Sequence, residues 1–330
     1  MNAKYVLVTG GAGYVGSHAC KALKVAGFTP VTYDNMSIGN HWAVKWGPLE
    51  IGDILDVNRL AEVYKKFRPV AVMHFAAYAL VGESMAEPAK YYRNNVIGTI
   101  NLLDLCRAFE VKNFVASSTC ATYGEPDILP IVEDTPQQPV NPYGASKLMV
   151  EQILDDYLMA YKIRYAALRY FNAAGADPDG EIGECRQVET HLIPLVMRAI
   201  THKKAIKIMG GDYPTKDGSA VRDYVHVSDL ALAHVNALHC LISGHTKIAA
   251  NLGSGIGMSV KEVVELAGNV SGVNVAIEMH DRRPGDPPAL VADIGESKNT
   301  LLAGHELRTS EDIVRDAWQW EMKLAKMGLV

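Results

Sequence analysis

Cysteine is sparse. The chain has five in 330 residues, Cys20, Cys106, Cys120, Cys185 and Cys240, widely spaced, odd in number and never in C-x-x-C. That usage fits reduced thiols in a cytoplasm better than a disulfide framework. The eleven histidines show no H-E-x-x-H or comparable ligand spacing, so no metal site is expected. Long apolar runs are missing. None approaches the roughly 18 residues of a membrane span, and "MNAKYVLVTG" goes straight into a strand-like run, so no signal peptide is expected. No single sign of charge is concentrated. The net charge is −5 with Lys and Arg scattered, and no basic stripe suggests nucleic acid or an anionic membrane. No repeat or low-complexity tract is evident.

What is there is an ordinary globular composition, 48% hydrophobic and 21% charged, long enough for one large domain or two fused ones. Apolar, β-branched runs at 5–10, 29–34, 71–77, 113–118 and 164–172 read as strands. Helical periodicity fills 17–27, 57–67, 88–109 and 143–161 between them. Continuous apolar strands alternating with helices predict an α/β fold with a doubly wound, parallel, Rossmann-type sheet. After Asn172 the rhythm changes. Residues 173–191 and 210–226 read as long polar, glycine-rich loops, which in a compact protein are more often functional than idle. Ser259 and Glu262 form a capping box, and 280–293 is rich in Pro, Gly and charge. These late segments suggest a smaller second lobe.

"TGGAGYVG" sets Gly10, Gly13 and Gly16 between the first strand and the first helix. Glycines permit a tight turn and a close approach of backbone to a pyrophosphate, and the helix N-terminus adds free N–H groups. The pattern alone is weak. Its context sharpens it, because Asp34 ends the second strand 18 residues past Gly16, where an acid binds a ribose 2′-hydroxyl. A 2′-phosphate would be repelled there, so NAD is favoured over NADP. As a lone residue, Asp34 reads equally as a turn acid.

"NPYGASKLMVEQIL" places Tyr143 and Lys147 four apart at the start of a helix, on one face. By spacing alone this is an amphipathic helix whose Tyr packs and whose Lys meets water. A dinucleotide site changes that balance. Removing a proton from an alcohol as hydride leaves its carbon needs a base, and a free Tyr, with a pKa of about 10, is a poor one. Lys147 and a positive nicotinamide are expected to lower that pKa. Thr119, at the tip of the preceding strand, would relay the proton or hold the substrate oxygen; alone, it is simply a β-branched strand end.

T-G-G-x-G-x-x-G, S-S-T-x-x-x-Y-G and Y-x-x-x-K together resemble the extended short-chain dehydrogenase/reductase superfamily, and within it the UDP-sugar C4 epimerases. The similarity covers nearly the whole chain, including "HFAAYALVGES", "YYRNNVIGT", "LRYFNAAGAD", "GGDYPTKDGSAVRDYVHVSDLA" and "RRPGDPPALVAD". The resemblance implies that UDP-glucose and UDP-galactose are interconverted through a transient 4-keto sugar, with NAD tightly bound and regenerated each turnover. It implies a NAD-binding Rossmann domain over 1–172 with a return segment at about 222–250, and a nucleotide-sugar lobe from 173–221 and 251–330. Catalysis would fall to Tyr143, Lys147 and Thr119. The matching cofactor positions are Gly10, Gly13, Tyr14, Val15, Gly16, Asp34, Asn35, Asp53, Ile54, Phe75, Ala76, Ala77, Asn94, Ser117, Tyr143, Lys147 and Tyr170. Those for substrate are Thr119, Asn172, His191, Leu192, Met209, Arg222, Arg283, Asp286 and Leu290. Arg222 and Arg283 suit a diphosphate, which guanidinium forks bind in pairs of hydrogen bonds. Without the family, Asp53 is a turn acid, Asn94 a buried amide, His191 a helix-start residue and the arginines surface charges.

Two positions depart from well-known bacterial members. Ala79 stands where they carry a Lys, and Leu290 is intermediate in bulk at a site whose size governs entry of N-acetylated sugars. UDP-N-acetylhexosamine or UDP-xylose and UDP-arabinose therefore stay open as substrates. A dehydratase would need an acidic pair after Thr119, where Cys120 and Ala121 stand. A non-catalytic binding module should lack Tyr143 or Lys147. A dehydrogenase that releases NADH explains the long late loops poorly. The helical stretches 88–109 and 143–161 are expected to form a homodimer interface, as in similar proteins.

Overall fold

The apolar runs become the strands of a seven-stranded sheet in the computed structural model, which describes residues 4–282 and 286–330. In chain order the first part is β1 (Tyr5–Thr9), α1 (Tyr14–Val25), β2 (Thr29–Asp34), β3 (Leu49–Ile51), α2 (Val57–Phe67), β4 (Ala71–His74), α3 (Val81–Ala86), α4 (Pro88–Tyr91), α5 (Gly98–Ala108), β5 (Asn113–Thr119), α6 (Pro142–Tyr161) and β6 (Arg164–Tyr170). There follow β7 (Asn172–Ala174), α7 (Leu192–Thr201), β8 (Ile206–Met209), β9 (Val221–His226), α8 (Val227–Ile242), β10 (Lys247–Leu252), β11 (Gly257–Ser259), α9 (Val260–Ser271), β12 (Ile277–His280), β13 (Ala289–Leu290), α10 (Gly295–Asn299) and α11 (Ser310–Met327).

The large sheet has the order β10-β6-β5-β4-β1-β2-β3, every pair parallel. This is the doubly wound Rossmann-type arrangement. Alternate residues of β1 feed two cores, as a two-residue side-chain period requires. Val6 and Val8 meet α1 and α8 through Leu23, Leu238 and Leu241. Leu7 faces α2, α5 and α6 through Leu60, Leu102 and Leu154. The strand order reverses between β1 and β4, and the crevice at their carboxyl ends is where such sheets take ligands. Among the described residues no helix is long and apolar enough to cross a membrane.

Several expectations shift. The strand read over 164–172 is two strands: β6 stays beside β5, the chain turns at Phe171, and β7 pairs with β9 in a second sheet. The strand read over 71–77 stops at His74, because Phe75–Ala77 bend across the end of β1. The helix read over 88–109 is interrupted by a π-helical turn at Tyr92–Ile97, a register change often found at functional sites. The loop read over 210–226 ends as β9, the spine of the second sheet, which pairs with β11, β13 and β7. β3 escaped the pattern because three residues carry no period, and β10 because "KIAANL" is poor in β-branched residues.

The capping box of α9 forms between Ser259 and Glu262. A third core, with Ile193, Val196, Val263, Val264, Ile313 and Val314, binds α7, α9 and α11 together. Asp223 ties β9 to its neighbours from a fully buried position. Its Oδ1 accepts from Ser254 N and Oγ, both at 2.7 Å, and its Oδ2 from Gly255 N and Ala292 N, both at 3.1 Å. Asp223→Asn would turn an NH2 group onto two of these donors. It is expected to cost about 2–4 kcal/mol, read as a lower urea midpoint at unchanged slope. A wild-type midpoint would show that the cage contributes nothing.

Candidate active site

Gly10 ends β1 at φ +72°, and a Cβ there would lie 2.7 Å from Ala76 N, so the glycine turn and the Phe75–Ala77 segment close on each other. Gly13 caps α1 with no side-chain hydrogen bond, and no acid occupies the first turn. The N–H groups of Tyr14, Val15 and Gly16 therefore face the crevice with the positive end of the helix dipole unneutralised. A Cβ at Gly16 would sit 2.2 Å from Gly10 O, a position only glycine fills. Asp34 is buried at the end of β2. Its Oδ2 accepts from Ala12 N at 3.0 Å and its Oδ1 from Met36 N at 2.9 Å. Burial raises its pKa, and those two N–H groups pull it back.

An uncapped helix terminus, a glycine turn and an acid beside them are the donor set an ADP-ribose needs, and NAD fits these residues. Around them, Asn35 Nδ2 donates to Asp53 Oδ2 at 3.0 Å, and Tyr33 OH donates to Asp53 O at 2.9 Å. Ile54 is buried against Gly98, where a Cβ would lie 2.4 Å from its Cδ1. Asn94 lies in the π-helical turn and donates from Nδ2 to Asn95 Oδ1 at 3.0 Å. Phe75 packs on the buried His234, ring centroids 4.9 Å apart.

Asn141 caps α6 by accepting from Gly144 N at 2.9 Å, and Pro142 opens the helix. Tyr143 and Lys147 therefore emerge in its first two turns, both buried against the ends of β5 and β6. Lys147 does not meet water. Its Nζ donates to Ser117 O at 2.8 Å. Burial brings its pKa down to about 8, and Glu151, one turn further along, works the other way. The expectation that Lys147 acidifies Tyr143 needs correction for the protein by itself. Burial dominates and pushes the phenol up, Tyr170 adds to this, and the Thr119 hydroxyl pulls it down. The same helix turn that brings the two side chains together also strips both of water. Thr119 Oγ1 accepts from Ala121 N at 3.1 Å, which leaves its own proton free to donate. Ser117 Oγ hydrogen-bonds Tyr170 OH across the strand pair.

The substrate candidates gather on the second sheet. Asn172 Nδ2 donates to Asp223 O at 3.0 Å. Arg222 pairs with Asp286 and donates from Nη1 to Val221 O at 2.7 Å, so its fork is held rather than waving in solvent. Leu290 lies opposite Arg222 in the β13–β9 ladder and packs against Cys120, Phe171 and Ala292. The Cys120 thiol is pushed up to about 12 by burial, with Arg222 pulling it down. His191 caps α7 and Leu192 begins it, while Met209 ends β8. His191 Nδ1 lies 2.9 Å from the buried Glu184 carboxylate. Tyr14 OH donates to Gly175 O at 2.7 Å and so bridges the glycine turn to this second group. Arg283 lies outside the described residues.

Glu184 and the Glu151–Arg169 pair were not singled out in the sequence. Glu184 stands seven residues before His191 in a loop, where separation has no periodic meaning. Glu151 shows a signal in hindsight, since it extends the Tyr143, Lys147 spacing by another helical turn.

Comparison with known proteins agrees with this geometry. Residues 6–253 match the family described as the NAD dependent epimerase/dehydratase family. A UDP-glucose 4-epimerase from Rhizobium leguminosarum bv. trifolii is 48% identical over 98% of this chain and 99% of its own. The crystal structure of a UDP-glucose 4-epimerase from Brucella ovis in complex with NAD is 50% identical, with a TM-score of 0.93 over 97% of this chain and 99% of that one. The enzyme of that name from Stenotrophomonas maltophila, with bound NAD and formylated UDP-arabinopyranose, is 35% identical, with a TM-score of 0.93 over 99% of this chain and 100% of that one.

The cradle generates one test. Gly16→Val forces a side chain onto the Gly10 carbonyl and is expected to lower NAD affinity at least about tenfold, or about 1.4 kcal/mol. Calorimetric titration of NAD into protein first stripped of its cofactor reads it. Unchanged affinity would show that the glycine turn is not the dinucleotide site.

Proposed function

The chain belongs to the NAD dependent epimerase/dehydratase family, and from that premise we infer that it interconverts UDP-glucose and UDP-galactose by inverting C4 through a transient 4-keto sugar. The observation that carries the reading is the convergence of Tyr143, Lys147 and Thr119 at the tip of β5, where Leu290, the ladder partner of Arg222, packs against Cys120. NAD held by the glycine turn and Asp34 would supply the acceptor and then the donor of the C4 hydride. Tyr143 removes the proton from the C4 hydroxyl and later returns it. Thr119 donates its free proton to the same oxygen. The Lys147 ammonium is the counter-ion that a phenolate needs in a site this dry. Arg222, Asn172 and His191 hold the UDP, which leaves the sugar free to turn its other face.

Elimination is disfavoured on the same residues. Cys120 and Ala121 follow Thr119, and a buried thiol with a pKa of about 12 is neither acid nor base for loss of water. Leu290 borders the Thr119 end of the site, so the choice among hexose, N-acetylhexosamine and pentose turns on that corner. The chain is read as cytoplasmic. A homodimer is supported by a shallow apolar surface lined by Tyr92, Val96, Ile97 and Met149, where Ile97 and Met149 are 48% and 42% exposed.

With UDP-galactose and no added cofactor, the purified protein is expected to form UDP-glucose, followed by NMR. Tyr143→Phe should stay folded, retain NAD and lose at least about a thousandfold in turnover, the upper range for a general acid–base group. Near-normal turnover would remove Tyr143 as the base. Light scattering at micromolar concentration should give twice the chain mass, and a monomer there would remove the dimer.

A further inference from the structure

Behind Lys147 lies a buried ion pair for which the reaction has no direct use. Glu151 follows Lys147 by one helical turn, as Lys147 follows Tyr143, so the three groups stack on one face of α6. Glu151 and Arg169 are both buried. The Glu151 Oε1 accepts from Ser118 Oγ and from Arg169 Nε at 3.1 Å, and its Oε2 accepts from Arg169 Nη2 at 2.7 Å. Arg169 Nη1 donates to Tyr123 OH at 2.8 Å and to Glu133 O at 3.0 Å. Such a pair is weak evidence for stability, because desolvation consumes most of its attraction.

β5 shows what else it does. Its last three residues are Ser117, Ser118 and Thr119. Ser117 O takes the Lys147 ammonium, Ser118 Oγ binds the Glu151 carboxylate, and Thr119 carries the hydroxyl that meets substrate. Two opposite charges on one helix thus clamp the strand tip that presents Thr119. We propose that Glu151, moderated by Arg169, is a positioning residue for the reaction: it clamps the β5 tip through Ser118 and stands one helical turn behind Lys147 as its electrostatic partner. The inference rests on the reading of Tyr143 and Lys147 as the base and its counter-ion.

The titratable groups around Lys147 leave this role to Glu151. His74 on β4 is held neutral, its pKa brought down to about 3 by burial, with Lys147 adding to the effect. Its Nδ1 hydrogen-bonds Thr9 Oγ1 at 2.7 Å and its Nε2 Thr99 Oγ1 at 3.0 Å. In the protein by itself burial pushes the phenols of Tyr143 and Tyr170 up. Glu151 is the acid in this set, and Arg169 is bound to it at 2.7 Å.

The test is the pH dependence of kcat for the NAD-loaded protein turning UDP-galactose into UDP-glucose. Wild type is expected to lose turnover as pH rises through about 8, where Lys147 gives up its proton. Glu151→Gln should move that alkaline limb down by about one pH unit or more, as loss of a neighbouring opposite charge does. Arg169→Met should move it up, because the carboxylate is then unopposed. Glu151→Asp keeps the charge and should keep the wild-type limb at whatever melting temperature. Glu151→Gln or Arg169→Met, whichever folds, decides the matter, and Glu151→Asp is the control that retains the charge. A limb that stays put in Glu151→Gln or Arg169→Met, or drops in Glu151→Asp, overturns the proposal and leaves a structural ion pair. Near-normal turnover in Tyr143→Phe, or a wild type without an alkaline limb, would instead sink the reading beneath it.

Discussion

A lysine ammonium almost wholly removed from water must be hydrogen-bonded or neutral, and the rest of this site is arranged around that demand. Lys147 meets it through Ser117 O on the strand tip and through the field of Glu151 behind it. The same contact fixes where α6 sits against β5, and so where Tyr143 stands relative to Thr119. Burial raises the phenol and lowers the ammonium together. Each group then makes sense only beside the other, since the charged form of one is the counter-ion of the other's charged form.

The second half of the site depends on a change of sheet. Phe171 separates β6 from β7, so that two adjacent stretches of chain serve different sheets. Tyr170 stays with β5 and Asn172 goes to β9, whose Arg222 is held by Asp286. Asp223 holds β9 through four donors from two other segments, and Tyr14 reaches from the glycine turn to Gly175. The two sheets are thereby joined by hydrogen bonds between separate segments rather than by one continuous element.

Several parts were legible in the chain itself because they obey local rules. Gly10, Gly13 and Gly16 declare a turn that only glycine can make, and Asp34 follows at the end of the next strand. Tyr143 and Lys147 share a face by helical spacing, and Ser259 with Glu262 writes a capping box. What was not legible depends on partners far away. No local period marks Glu184 beneath His191, and Arg169 reads as one charged residue in an apolar strand until Glu151 is placed against it. The π-helical turn at Tyr92–Ile97 has the composition of an ordinary helix, and its register is set by packing against α6 and Ile54.

The chain by itself therefore determined the doubly wound sheet, the glycine turn, the acid at the end of the second strand, and the shared helix face of Tyr143 and Lys147. Each follows from a backbone requirement or a spacing within some twenty residues. Only the tertiary structure decided their protonation balance, the break at Phe171, the strand hidden in the loop before His226, and the ion pair behind Lys147. Those outcomes come from desolvation and from contacts between distant segments, which no window of sequence contains.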